Sequence, residues 1–394
     1  MQMSFTLNQL WHERNSTKMI LLLFLSILVT TYPKYLEFLL DSSLATTYHY
    51  FFEKIKNPLG SAAHLGSDTH GSKIAFRLTV PIIGKALGIG SSSSGKDIVL
   101  IYLLQSALLL PFLYMLIDVL QRFTSHVNAC LFAVACSFTY LCKAFFWDYD
   151  FWFDGYAYFF MLAGLYFRKP LPVFFCLQLA CWTDERAVVA LPGIYLYHLL
   201  QSGNFNLVDN FKSIYQGLYS RSGIPVVFAG LVYLLLRLYL GYRYNLLTPS
   251  GDQAGVSLSL IQFQLNNRLI GVFLSFEALW FFPFMIGFYQ FRIRKFFVSA
   301  LLGALLLQII VAYSVFDISR SLSYCFPIFI ICLALMAKSA PSVVNRYLPV
   351  IALVCILIPT QYLIYFPRQI PTIFSSIDQI ALIVKYITSA RLAF

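Results

Sequence analysis

The sequence predicts an all-α fold, a polytopic transmembrane helical bundle of about eleven spans. Composition is the first reason, because 59% of the 394 residues are hydrophobic and only 11% are charged, against about a quarter in ordinary soluble domains. The second is the aromatic content of 18%, with 38 Phe and 26 Tyr. The third is a series of apolar runs close to the roughly 20 residues that cross a bilayer. This excludes a soluble enzyme, a disordered chain and a secreted disulfide-stapled domain, since each would expose too much apolar surface.

The predicted spans follow these apolar runs along the chain. They cover residues 18–40, 98–120, 126–146, 154–167, 171–183, 187–200, 223–241, 270–290, 296–316, 321–338 and 346–366. The first run is too long for the apolar region of a signal peptide and lacks a clear small-residue cleavage site, so it is interpreted as a span. Residues 1–394 are therefore expected to form one integral membrane domain.

Three segments between or after the spans are long enough to carry chemistry. Residues 41–97 form the first loop, in which two helices suit the membrane interface. Pro81 is expected to kink or interrupt the second of them. Residues 242–269 form a second long loop, and residues 367–394 form an interfacial C-terminal segment with Ile at near-helical spacing.

Charge is distributed unevenly between alternate loops. The chain has 28 basic and 17 acidic residues, a net charge of +11. Basic residues gather in one set of loops, which the positive-inside rule places in the cytoplasm: Arg14, Lys18, Arg122, Arg168, Lys169, Lys212, Arg221, Arg292, Arg294, Lys295, Lys338 and Arg346. Acids gather in the other set: Asp41, Glu53, Asp68, Asp148, Asp150, Asp154, Asp184, Glu185, Asp252 and Asp317. We expect a plasma (inner) membrane protein with a cytoplasmic N-terminus and its polar chemistry on the extracytoplasmic face.

Nucleic acid is not an expected partner, because no strongly basic domain stands apart from the apolar runs. The eight Cys residues all lie in apolar stretches and form no CxxC pair. They are interpreted as core residues rather than metal ligands or disulfide partners.

Asp148-Tyr149-Asp150 lies at the outer end of the third predicted span, among aromatic residues. Carboxylates beside a membrane are costly unless they are paired, metal-bound or facing water. Two at this spacing can share one divalent cation, or one can hold it while the other orients a base. The alternative is an ordinary interfacial turn in which Asp154 caps the next helix.

Thr183-Asp184-Glu185-Arg186 lies in a tight outer turn between two short spans. One interpretation is a helix N-terminus, with Thr183 as the cap and the acids in the first turn. The other is a polar lining in which Arg186 contacts a phosphate. Both stay open.

Asp317 and Arg320 occupy the outer turn before the tenth span, three residues apart. They are expected to pair on one helical face. Arg320 is also placed to bind an anionic lipid phosphate, and the sequence favours neither role.

The first loop holds three further candidates. Asp41 ends the first span, where it either caps the next helix or serves a site. Asp68 and His70 are interpreted as a loop cap and a solvated His, since the His spacing does not fit a zinc site.

The acid after the first span (Asp41), the long first loop with two helices, and the acidic pair Asp148 and Asp150 form a specific arrangement. It resembles the GT-C superfamily of polytopic membrane glycosyltransferases, which includes oligosaccharyltransferases, protein mannosyltransferases and aminoarabinose transferases. The stretches FRLTVPIIGKALG (Phe76–Gly88) and WTDERAVVALP (Trp182–Pro192) also look like segments of uncharacterised bacterial members. The resemblance is one of pattern and covers residues 18–330.

The resemblance implies a GT-C-like fold and an inverting hexosyl or pentosyl transferase. Its donor would be a polyprenyl-phosphate sugar, and its acceptor a lipid, a glycan or a surface polymer. Asp41 is the first choice for the catalytic base and Asp148 the second. A Mg²⁺ or Mn²⁺ ion on Asp148 and Asp150 would stabilise the leaving phosphate.

The donor phosphate would also need cations at the outer interface, and arginine is suited to it. The candidates are Arg77, Arg186, Arg243, Arg268 and Arg320. Asp184, Glu185 and Asp317 are expected to line the same site, and Asp68, His70 and Asp154 are further candidates.

Two other functions fit the same composition. A polysaccharide polymerase or ligase would act on the same face with Arg-rich loops and no acidic pair. A lipid-linked glycan transporter (a flippase) would depend on charges at mid-membrane, of which Glu277 and Arg237 are examples that could pair with each other.

Overall fold

A computed structural model describes most of the chain. The described residues are 7–31, 33–36, 49–60, 72, 74–90, 95–148, 151–202, 217, 221, 223–248 and 257–358. The predictions for Asp41, Asp68, His70, Asp150 and residues 367–394 lie outside these ranges. Within the ranges the regular structure is helical and contains no β-strand, so the predicted all-α fold is confirmed.

The helices follow one another with short connections. The first nine are α1 (Leu7–Thr30), α2 (His49–Lys56), α3 (Thr79–Ala86), α4 (Gly95–Ala107), α5 (Leu109–Gln121), α6 (His126–Ser137), α7 (Tyr140–Trp147), α8 (Asp154–Tyr166) and α9 (Pro170–Thr183). The others are α10 (Arg186–Ser202), α11 (Ile224–Tyr244), α12 (Ser259–Arg268), α13 (Gly271–Phe276), α14 (Phe281–Tyr289), α15 (Lys295–Tyr313), α16 (Ile318–Ser323), α17 (Phe326–Ser339) and α18 (Pro341–Leu357). Short 3₁₀ helices cover Lys34–Leu36 and Glu277–Trp280.

Four of the described helical stretches are long and apolar enough to cross a membrane: Gly95–Gln121, Ile224–Tyr244, Gly271–Tyr289 and Lys295–Tyr313. Helices α6 and α7 bend by 53° and add a fifth if they count as one span. The predicted membrane-embedded helical bundle is thus confirmed. The number of eleven spans stays a prediction, because several other apolar helices are shorter.

Helix ends follow local chemistry. Ser125 caps α6 by accepting the N–H of Asn128, and Pro170 begins α9, where a missing N–H costs nothing. Pro81 does not interrupt a helix as expected. It lies in the first turn of α3, which begins at Thr79, where a proline is tolerated for the same reason.

Helix α8 is at the centre of the bundle. It packs against α9, α5, α7 and α10. Gly164 lets α9 approach closely, since a Cβ atom there would lie 2.7 Å from the Leu177 side chain. Helix α11, in contrast, exposes leucines on one face, as expected of a helix that borders lipid tails.

Helices α8, α9 and α10 define two ends of the bundle. Asp154 begins α8, and the α9–α10 connection brings Asp184 to the same end. At the opposite end of α8, Arg122 donates to the Tyr166 carbonyl at 2.9 Å. Because a helix of 13 residues is about 20 Å long, the acids and the basic connections are well separated.

Candidate anion-binding site

In the described chain, six charged side chains from four segments meet at one end of the bundle. This Asp/Arg cluster consists of Arg77, Asp154, Asp184, Arg186, Asp317 and Arg320. All are buried except Asp317, whose side chain is 18% exposed. Three guanidinium groups face three carboxylates, so their formal charges cancel.

Asp154 lies at the centre of the cluster and is fully buried. Its Oδ2 accepts from Arg320 Nε at 2.7 Å and from the Tyr140 hydroxyl at 3.1 Å. Its Oδ1 accepts from the Tyr324 hydroxyl at 2.9 Å and from Arg186 Nη2 at 3.3 Å. Each oxygen therefore accepts from one guanidinium and one phenol.

Asp184 is the second buried carboxylate, at the end of α9. Arg186 contacts it in a fork, with Nε 2.7 Å from Oδ1 and Nη2 2.6 Å from Oδ2, and Arg77 Nη2 lies 3.1 Å from Oδ2. Burial alone would raise the pKa of Asp184, but Arg186 and Arg77 outweigh it and hold that pKa well below its ordinary value. Asp184 is consequently ionised.

Arg186 begins α10 and uses all of its nitrogens within the cluster. Besides the fork to Asp184, Nη2 reaches Asp154 and Nη1 donates to the Ser321 hydroxyl at 2.9 Å. Its guanidinium also lies 5.0 Å from the centre of the Tyr324 ring. Thr183 is not the cap of this helix, because its hydroxyl donates to the Leu179 carbonyl.

Arg320 connects the cluster to α16. Its Nε binds Asp154 and its Nη1 donates to Asp317 at 2.8 Å, the pairing expected at a spacing of three residues. The guanidinium lies 4.3 Å from the centre of the Trp152 ring, within the range of a cation–π contact.

The turn between α7 and α8 is strained and precedes Asp154 directly. Phe151 and Phe153 both adopt φ = 58°, a left-handed conformation that costs bulky residues about 1–3 kcal/mol each. Asp148 stabilises the turn, because its carboxylate accepts the N–H groups of Trp152 at 3.2 Å and Phe153 at 2.6 Å. The Tyr102 hydroxyl accepts the N–H of Phe151 at 2.7 Å. The turn thereby places Trp152 against the cluster.

Asp148 itself is fully buried. Burial and the nearby charge of Asp154 raise its pKa from the ordinary 3.8 to about 7, although the N–H groups of Phe153 and Trp152 oppose the shift. A carboxyl group with such a pKa can accept a proton near neutral pH.

Asp148, the one described residue of the predicted metal-binding pair, does not direct its oxygens to a cation site. Both oxygens of Asp148 face the donors of the turn, and Asp150 lies outside the described residues. No three His, Cys, Asp or Glu side chains of the described chain group closely enough to hold a metal ion. The divalent cation stays a prediction.

Other predicted residues lie apart from the cluster. Glu185 is half-buried, and among the described residues it forms no ion pair with the three cluster arginines. Arg268 contacts Gln264 and the Phe263 ring, and Arg243 is exposed on α11.

Some members of the site have no signal in the sequence. Tyr140, Tyr324 and Tyr102 contact its carboxylates or turn, but they are three among 26 tyrosines. Ser321 and Trp152 are neighbours of predicted residues, and that proximity is the one clue that points to them.

Glu277 and Arg237 do not pair with each other in this structure. Arg237 donates to the Tyr233 hydroxyl at 2.6 Å and lies 4.1 Å from the centre of the Phe76 ring. Glu277 is buried at a break in Gly271–Tyr289, at φ = 51°, and interacts electrostatically with Lys143 of α7.

The Asp/Arg cluster is thus a closed set of charges at one end of an apolar bundle. No protein-family model matches the chain, and no curated protein or solved structure gives a match either.

Proposed function

We propose that this chain is a membrane glycosyltransferase that moves a sugar from a polyprenyl-phosphate donor to a lipid, glycan or surface-polymer acceptor. The observation that carries the proposal is the Asp/Arg cluster, in which Arg77, Arg186 and Arg320 converge from distant segments.

The burial of the cluster costs desolvation free energy. Burying a guanidinium and a carboxylate removes both from water, and such pairs stabilise a fold little compared with apolar residues of the same volume. Arg186 and Asp184 are nonetheless both buried, with Arg77 and Arg320 beside them. A cluster of this kind is better explained by a ligand than by stability.

The ligand that these arginines favour is a phosphate. Arginine binds phosphate through two parallel N–H donors, and it keeps its charge when buried. A polyprenyl phosphate would place its isoprenoid tail in lipid and its phosphate at the end of the bundle, where the cluster lies.

A base must take the proton of the acceptor hydroxyl as it attacks the anomeric carbon. Asp41 is the first candidate, on the strength of its place in the sequence. Asp148 is the second: its pKa lies near 7, and it would have to release the N–H groups of Trp152 and Phe153 to act as a base.

The orientation in the membrane belongs to the same proposal. We place the cluster on the extracytoplasmic face of an eleven-span, GT-C-like bundle, with the N-terminus in the cytoplasm. Support comes from Arg122, Arg168 and Lys169, which lie at the helix ends opposite to Asp154 and Asp184, as the positive-inside rule requires.

Transfer by the purified protein tests the proposal. The chain is reconstituted in lipid nanodiscs and given a panel of synthetic polyprenyl-phosphate hexoses and pentoses with membrane glycolipid acceptors, and the product is measured by mass spectrometry. We expect Asp148→Asn and Arg320→Gln to lower the rate by about 10²-fold or more, as loss of a base or of a charge-stabilising group does.

The matched control is Arg122→Gln, which removes an arginine paired with Asp118 at the opposite end of the bundle. It is expected to keep the wild-type rate. Transfer that is undiminished in both Asp148→Asn and Arg320→Gln, or the absence of transfer from every donor of the panel, would contradict the proposal.

A lipid-linked glycan transporter is the second candidate, favoured by Lys143 and Glu277. Both are buried within the membrane-embedded helices, and Glu277 lies at a break in one of them. Charges at such depth are often part of a transport path. Translocation of a fluorescent lipid-linked glycan in proteoliposomes, lost in Glu277→Gln and retained in Arg320→Gln, would favour this function over transfer.

A further inference from the structure

The three arginines of the cluster are not equivalent. Arg186 directs Nε, Nη1 and Nη2 to Asp184, Ser321 and Asp154 respectively, and it is therefore fully used in holding the fold. Arg77 contacts Asp184 through Nη2 alone. Its Nε is buried and forms no hydrogen bond with any described residue.

An unused donor on a buried guanidinium is costly, because the group has lost its water without gaining a partner. The Arg77 side chain is 10% exposed, so little solvent compensates. An acceptor brought within reach of this N–H would satisfy it while Nη2 stayed on Asp184. Unlike Arg186, Arg77 thus retains a donor for a ligand.

Arg77 reaches the cluster on a segment that has little structure of its own. Residues 74–79, here called the Arg77 segment, lead into α3, which begins at Thr79, and contact the end of α9. The N–H of Leu78 donates to the Trp182 carbonyl at 2.7 Å, and the Thr79 hydroxyl donates to the Leu179 carbonyl at 2.8 Å. These bonds fix the C-terminal half of the segment against α9.

Lys54 of α2 fixes the other half. Its side chain is buried, and Nζ donates to the Ala75 carbonyl at 2.6 Å, two residues before Arg77. Only 2% of Lys54 is exposed, and this burial lowers the pKa of Lys54 to about 7. No carboxylate of the described residues pairs with this amine, and lysine is rarely buried without a partner.

We propose that Arg77 is the guanidinium that meets the donor's phosphate, and that Lys54 is a positioning residue which holds the Arg77 segment in place for it. The proposal rests on the proposed function and adds to it the group that contacts the substrate. Lys54 thus connects α2, through the Ala75 carbonyl, to the segment that carries Arg77.

A binding experiment on the full chain tests the first part. Nanodiscs that contain the protein are titrated with a short-chain polyprenyl phosphate, and the corresponding polyprenol serves as the uncharged comparison. We expect Arg77→Gln to weaken binding of the phosphate by about tenfold to a hundredfold, the usual effect of losing a hydrogen bond to a charged group. Binding of the polyprenol should not change.

A double variant tests whether Lys54 acts through Arg77. Lys54→Met should weaken phosphate binding, but Lys54→Met combined with Arg77→Gln should bind no more weakly than Arg77→Gln alone. Lys56→Met is the matched control, because Lys56 lies on the same helix and is exposed. Losses that add in the double variant would show that Lys54 acts elsewhere and would overturn its role.

Hydrogen exchange tests the second part without any ligand. The amide of Leu78 is protected by the Trp182 carbonyl, so it should exchange about tenfold faster or more in Lys54→Met and at the wild-type rate in Lys56→Met. Unchanged exchange in Lys54→Met would refute the positioning role. If wild-type protein bound the phosphate no better than the polyprenol, the proposed function and the Arg77 contact would both fail, and hydrogen exchange would still decide the role of Lys54.

Discussion

The replacement of Asp154 by Asn is the sharpest probe of the Asp/Arg cluster. Asp154 is fully buried, and its two oxygens accept from Arg320, Arg186 and two tyrosines. An amide keeps the shape of the side chain but removes its charge. It also turns one acceptor into a donor that must face a guanidinium or a hydroxyl.

The magnitude follows from what each arginine retains. Removal of one partner from a buried ion pair costs about 3–5 kcal/mol. Arg186 would keep its fork to Asp184, and Arg320 would keep Asp317 at 2.8 Å, so neither guanidinium is left without a carboxylate. We therefore expect Asp154→Asn to lower the free energy of unfolding by about 3 kcal/mol, the lower end of that range.

The assay is equilibrium unfolding in mixed micelles, followed with a thiol-reactive fluorescent dye. The eight cysteines suit this readout because seven are buried and Cys176 is half-buried. Asp118→Asn is the matched control, since Asp118 binds Arg122 at 2.9 Å with a side chain that is 41% exposed. Such an exposed pair contributes about 0–1 kcal/mol. A loss in Asp154→Asn no larger than in Asp118→Asn would refute the reasoning.

Three further predictions concern stability in the same assay. Because the pKa of Asp148 is raised to about 7, the native protein binds more protons than the unfolded chain between pH 4 and 7. The free energy of unfolding of the wild type should consequently fall, relative to that of Asp148→Asn, as pH rises through this interval. An identical pH dependence of unfolding in the wild type and in Asp148→Asn would contradict the raised pKa. Asn245 ends α11 at φ = 54°, so Asn245→Ala should destabilise by about 1 kcal/mol and Asn245→Gly by less; equal effects would argue against a backbone cause. Gly164→Ala places a Cβ atom 2.7 Å from Leu177 and should lower the free energy of unfolding by about 1–3 kcal/mol. Gly287→Ala meets nothing within 4 Å and should be neutral or stabilising. If Gly287→Ala destabilised the protein more than Gly164→Ala, steric contact with Leu177 would be excluded as the cause.

The sequence predicts the bundle well because length and hydropathy decide what crosses a membrane. The predicted spans 98–120, 223–241, 270–290 and 296–316 each correspond to a long apolar helix. The shorter α8 and α9 also follow predicted runs. With 13 and 14 residues, both are shorter than the roughly 20 residues that cross a bilayer.

The site is predictable only where its partners are close in the chain. The spacing of Asp317 and Arg320 predicts their ion pair, which the structure contains. The interpretation of Asp154 as a helix cap is wrong, because Phe153 occupies the N-cap position. Asp154 instead binds groups up to 170 residues away in the chain. The left-handed turn at Phe151 is also beyond local reasoning, since aromatic residues disfavour that conformation and distant contacts impose it.

The order in which the cluster's members leave the ribosome has a consequence for biogenesis. Arg320 lies 166 residues after Asp154, a delay of about 10 to 30 s at ordinary rates of translation. Asp184 is synthesised almost together with Arg186, and Asp317 with Arg320, so each of these carboxylates leaves the ribosome with its guanidinium partner within three residues. Arg77 and Asp154 have no such neighbour, because their ion pairs are with Asp184, Arg186 and Arg320. This end of the protein therefore assembles without an uncompensated ion only once the α9–α10 connection has been made.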